Sequence, residues 1–107
     1  PPHTVKSNAG NWKVTFSPIP EQMPLNEVFE LTTWVEGDHA IKSLRVDAAM
    51  PAHGHGMMTD PVTTLQPDGS YKTTGMLLSM PGKWELYFDI DDGKTIERAQ
   101  DEVTLAP

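Results

Sequence analysis

The chain has 107 residues, a formal net charge of −7 and no cysteine. That length fits one domain with a modest core. The missing thiol excludes disulfide scaffolds, Cys-based zinc sites, cysteine nucleophiles and blue copper, whose metal needs a Cys thiolate, while the acidic balance argues against nucleic acid and anionic membrane surfaces.

Ten prolines and eight glycines interrupt the chain, and no segment carries a long helical periodicity. Residues 1–10 are expected as a flexible N-terminal arm, with a single β-sandwich domain over 11–107. Trp12, Val14 and Phe16 then alternate with polar neighbours. Phe29, Leu31, Thr33 and Val35 form one face of the next run, and Leu44, Val46, Ala48 and Met50 follow in period two. Residues 61–66 and 70–78 flank Pro67-Asp68-Gly69, a strong turn signal. Trp84, Leu86, Phe88 and Ile90 alternate with Glu85, Tyr87 and Asp89. Asp91-Asp92-Gly93 turns the chain into 94–105, whose charged middle is expected to bulge or loop. The pattern predicts an all-β, immunoglobulin-like antiparallel sandwich of about seven strands. Trp12, Phe16, Leu31, Val46, Trp84, Leu86 and Phe88 are its expected core. No apolar run approaches the roughly 18 residues of a membrane span, so no membrane insertion of this domain is expected. The chain opens at Pro1 without a signal-peptide pattern, as a mature or trimmed chain would.

Residues 50–58, Met-Pro-Ala-His-Gly-His-Gly-Met-Met, gather two of the four histidines and three of the six methionines. In an extended segment, His53 and His55 would point the same way. Imidazole and thioether together suit copper, above all Cu(I). The expected ligands are His53 and His55, with sulfur from Met50, Met57 or Met80. If the third and sixth strands of the sandwich are neighbours, Met50-Pro51 and Met80-Pro81 fall at one end of it. The plainer reading is a turn whose histidines cap backbone groups and whose methionines fill gaps in the core. Met57 and Met58 are adjacent and point opposite ways in extended chain, so only one would share the histidines' face. Pro2 lacks the N–H that a square-planar amine, amide and imidazole site at His3 would use, so His3 is expected to be solvated. His39 is expected in a turn. Asp89, Asp91 and Asp92 read as a solvated hairpin end, because the spacing is not that of a calcium-binding hand. No nucleophile elbow or phosphate loop is present, so the chain is not expected to be an enzyme.

Met50-Pro51-Ala52-His53-Gly54-His55-Gly56-Met57, Gly69-Ser70-Tyr71 and Met80-Pro81-Gly82-Lys83-Trp84-Glu85-Leu86 lie in that order between Val46 and Ile90. This stretch resembles the YtkA-like domain family. The resemblance implies an exported immunoglobulin-like β-sandwich, periplasmic or otherwise extracytoplasmic, with relatives in copper handling and haem–copper oxidase assembly. The expected function is copper carriage or delivery to an extracytoplasmic protein partner. One alternative is a metal-free module that docks a cytochrome or an oxidase-assembly partner; another is an accessory domain with a purely structural role.

Overall fold

The computed structural model describes residues 2–107. Among these residues the strands are β1 (His3–Lys6), β2 (Lys13–Ile19), β3 (Phe29–Glu36), β4 (Ser43–Met50), β5 (His55–Gly56), β6 (Val62–Leu65), β7 (Tyr71–Met76), β8 (Gly82–Asp91) and β9 (Ile96–Leu105). They form two antiparallel sheets, β1-β2-β3-β7-β6 and β5-β4-β8-β9. With β2, β3, β7 and β6 as strands A, B, E and D, and β4, β8 and β9 as C, F and G, the order is that of an immunoglobulin sandwich. β5 takes the place of strand C′. No described helix is long and apolar enough to cross a membrane.

Alternation decides which side chains enter the space between the sheets. The inward residues Phe16, Leu31, Val46, Trp84, Leu86 and Phe88 are buried, and so is Trp12, just before β2. All seven expected core residues are therefore in the core. Phe16 of one sheet meets Phe88 of the other with ring centres 4.8 Å apart. This tilted aromatic contact ties the layers together at their middle.

Two segments depart from the expectation. Residues 3–6, expected within a flexible arm, form β1, paired with β2 from His3↔Phe16 to Lys6↔Lys13; Pro1 lies outside the described residues. The chain then crosses to the other sheet, where Ser7 bridges to Ala99. Buried Ser7 donates its hydroxyl to Glu97 (2.7 Å) and accepts the Trp12 amide (3.0 Å). Asn11 donates its side-chain amide to the other Glu97 oxygen at 2.6 Å. These bonds hold the Glu97 carboxyl below its ordinary range, Asn11 first and Ser7 second. The supposed arm is thus a hydrogen-bonded seam between the sheets.

The second departure is β9. Its charged middle neither bulges nor loops, and every residue from Ile96 to Leu105 pairs with β8. Arg98 accounts for much of this continuity. It donates two hydrogen bonds to Asp89 across the strands, 2.8 and 3.0 Å long, and lies over the Tyr87 ring at 4.3 Å. Arg98, Gln100 and Glu102 find partners in Asp89, Glu85 and Lys83 on β8 without breaking the ladder.

His39, expected in a turn, clasps the end of the sandwich where β4 begins and β8 finishes. Nδ1 donates to Asp38 at 2.6 Å and Nε2 to Asp92 at 2.8 Å. Carboxylates only accept, so the ring in this geometry is the imidazolium. Its pKa is raised above 6.5, by Asp38 first and Asp92 second. Asp92 is held far below its ordinary 3.8 by the Thr95 amide, then His39, then the Lys94 amide. The ring also packs on Trp12, with centres 4.7 Å apart.

Trp84→Ala should cost about 3–5 kcal/mol, as loss of a buried tryptophan does, because the side chain has no exposed surface. A melting point within a degree or two of the parent would remove Trp84 from the core. The His39–Asp92 clasp has its own pH window. The raised His39 pKa contributes stability that is complete below 6.5 and lost as pH rises through the folded value. The lowered Asp92 pKa contributes stability present above 3.8 and lost as pH falls toward its folded value. The melting-point difference between parent and His39→Ala should therefore be largest between these values and shrink toward alkaline pH. The half-exposed His39 side chain keeps the difference small and salt-sensitive. A difference independent of pH would show that the ion pair contributes nothing.

Candidate metal centre

The pairing of β4 with β8 builds the site. It runs from Ser43↔Asp91 to Ala49↔Glu85, so β4 ends where β8 begins. Met50-Pro51 and Met80-Pro81 therefore lie at one end of the sandwich. Gly82, at φ 121°, sits against the Met50 side chain: a Cβ there would be 3.0 Å from the Met50 methyl.

The histidine segment is a tight turn rather than an extended strand. Pro51, pre-set in φ, starts a 3₁₀ turn over Pro51–His53. Gly54 ends the turn in the left-handed region at φ 66° and donates its amide to the Pro51 carbonyl at 3.2 Å. The chain then pairs back on β4, with Met50↔His55 and Ala49↔Gly56. It is this turn that places the His53 and His55 rings side by side, with centres 6.1 Å apart.

His55 is held in one tautomer. Its Nδ1 lies 3.0 Å from the Gly56 carbonyl oxygen. A carbonyl only accepts, so Nδ1 carries a proton, and in the neutral ring the Nε2 lone pair is left for a ligand. The ring meets Trp84 edge-on, at 5.7 Å and 76°. Trp84 in turn donates its indole N–H to the Met80 carbonyl at 2.9 Å. Beside these groups lies a shallow cleft of about 570 Å³ lined by Asn26, His55, Gly56, Met58, Ser79 and Met80. Met58 is 77% exposed and Met80 39%.

The expected ligands divide between this rim and the core. His53, His55 and Met80 reach the rim. Met50 is buried at 1% exposure, its side chain inside the sandwich. Met57 packs against the core, and its sulfur accepts the Leu77 amide at 3.5 Å. The thioether on the histidines' side is that of Met58, the other member of the adjacent pair. Asn26 was also not singled out by sequence. It stands at φ 55°, donates its amide to the Leu78 carbonyl at 2.8 Å and forms a wall of the cleft.

The remaining candidates have other partners. His3 stacks on Phe16 with ring centres 4.9 Å apart, and its Nδ1 is 3.8 Å from an Asp101 oxygen. Asp89 is paired with Arg98, and Asp91 accepts the Gly93 amide at 2.7 Å. Among the described residues, no group of three or more His, Asp or Glu side chains is placed to hold a metal ion. The donors at the rim are instead imidazole and thioether, a set that matches a soft cation such as Cu(I) rather than Mg or Ca.

The YtkA-like family model matches residues 6–89, a span that contains the histidine turn, both exposed methionines and Trp84. Comparison with curated proteins and with solved structures finds no match.

Gly54→Ala should lower stability by about 1 kcal/mol. The space around Gly54 is open, so the cost is purely that of the positive φ. Gly54→Asn should recover part of it, since asparagine tolerates that conformation. Equal melting points for parent and Gly54→Ala would show that the turn does not require the left-handed residue.

Proposed function

We infer that this chain, which belongs to the YtkA-like family, binds copper as Cu(I) at the His–Met rim and carries it to a protein partner outside the cytoplasm. The observation that carries this reading is His55, its Nδ1 turned to the Gly56 carbonyl, beside a cleft that Met58 and Met80 line. Two imidazoles on one ion at metal–nitrogen distances of about 2 Å place their ring centres roughly 5–6 Å apart. The observed 6.1 Å is close to that span, which supports His53 as the second imidazole. The exposure of Met58 and Met80 suits carriage, because an ion at the surface can pass to another protein. Without a thiolate the site is one of binding and transfer, not of blue-copper electron transfer. No enzymatic step is assigned to it. The extracytoplasmic location rests on the family resemblance.

A second reading has its own observation. Exposed methionines in an apolar cleft are adaptable contact surface, and a metal-blind module could dock an oxidase-assembly partner or a cytochrome there.

Anaerobic titration with Cu(I) against a chromophoric chelator separates the two. The parent should bind copper, less tightly in acid, because imidazole ligates only when neutral. His55→Ala, Met58→Leu and Met80→Leu should each weaken binding by at least the roughly 10–100-fold seen when a supporting outer-shell group is removed. Met50→Leu and Met57→Leu should leave affinity unchanged. A parent chain that fails to compete for Cu(I), or rim variants that bind as the parent does, would remove copper from this site in favour of docking.

A further inference from the structure

Trp84 has no exposed surface, yet it touches both halves of the rim. Its indole N–H fixes the Met80 carbonyl, and thereby the backbone from which that thioether projects. Its ring meets that of His55 in a T-shaped contact. We propose that Trp84 is the positioning residue of the rim, holding the imidazole of His55 and the Met80 corner in one geometry for a soft cation; this deepens the copper reading above and rests on it.

The geometry leaves His55 few freedoms. The Nδ1–H bond to Gly56 sets which nitrogen faces outward, and the edge-on contact with Trp84 sets the plane of the ring. Met80 precedes Pro81-Gly82 at the start of β8, and Trp84 lies two residues into that strand. The indole bond spans this corner and closes it against the core. A ligand set built in this way is pre-organised by a buried group rather than by the exposed loop itself. Occupation of the rim must then be felt at the indole N–H, since any shift of Met80 or of the His55 ring alters its surroundings. Trp12 packs near His39, at the other end of β4, and Trp34 is exposed on the outer face of β3. They are internal controls for the same signal.

The test is a proton–nitrogen correlation spectrum of the full chain during anaerobic Cu(I) addition, with chelator competition on the same samples. Cu(I) is diamagnetic, so indole resonances persist, and triple-resonance spectra of the parent together with Trp34→Phe assign them. The Trp84 indole peak should move and saturate together with binding measured by competition, while those of Trp12 and Trp34 stay in place. Trp84→Phe keeps a ring in the core but removes the N–H. It should retain a dispersed spectrum and bind Cu(I) about tenfold or more weakly, as expected when a supporting group is lost. If Trp84→Phe does not fold, the indole shift in the parent decides. Copper bound in competition with the Trp84 peak unmoved would overturn this inference and leave the copper reading standing, as would unchanged affinity in a folded Trp84→Phe. No competition for Cu(I) by the parent would overturn both.

Discussion

The antiparallel register of β4 on β8 is the constraint from which the rest of the molecule follows. Leu44, Val46 and Ala48 on one strand, and Ile90, Phe88 and Leu86 on the other, are directly opposed and buried. A slip of one residue would turn one of these sets out to solvent. Burial therefore fixes the register, and the register fixes where β4 leaves the sheet and β8 enters it. The histidine turn and the Met80 corner meet because the core permits no other alignment. Trp84 sits at that junction, with its ring in the core and its N–H on the corner.

The methionines divide by position. Met50 and Met76 are buried, and Met57 packs against the core with its sulfur hydrogen-bonded to backbone. Met58 and Met80 stand at the surface beside His55. A flexible apolar side chain suits both places, as filling within the sandwich and, on the copper reading proposed above, as a soft donor at its rim. At the opposite end, His39 and Asp92 close the loops with charge, and the His39 ring packs on Trp12. The two ends thus carry different chemistry on one rigid scaffold.

Much of this was legible in the sequence. The seven expected strands are β2, β3, β4 and β6 to β9: β2, β3, β4 and β8 alternate apolar and polar residues over a run long enough to read, while β6, β7 and β9 are marked by the turns at Pro67-Asp68-Gly69 and Asp91-Asp92-Gly93. β1 and β5 were not expected. His3–Lys6 has no clear alternation, and its pairing depends on the buried Ser7–Glu97 seam, a contact between residues 90 apart in the chain. β5 is two residues long, ends in glycine and exists only because the Gly54 turn returns the chain to β4. The continuity of β9 was hidden because its charges find cross-strand partners that no local pattern reveals. At the site, His53, His55 and Met80 were legible from motif and topology. The burial of Met50 was legible too, since Leu44, Val46, Ala48 and Met50 share one period-two face. The choice of Met58 over Met57 was not. Adjacency shows that one faces in and one out, but only the Leu77 amide on the Met57 sulfur decides which.

The central claim is that the rim offers a soft cation a mixed shell of imidazole nitrogen and thioether sulfur. X-ray absorption at the copper edge, on the chain loaded anaerobically with Cu(I), observes that shell directly. The account predicts both nitrogen and sulfur scatterers, with the sulfur contribution reduced in Met58→Leu and in Met80→Leu but retained in Met57→Leu. A shell of nitrogen and oxygen alone, or a sulfur contribution lost in Met57→Leu and kept in the other two, would contradict it.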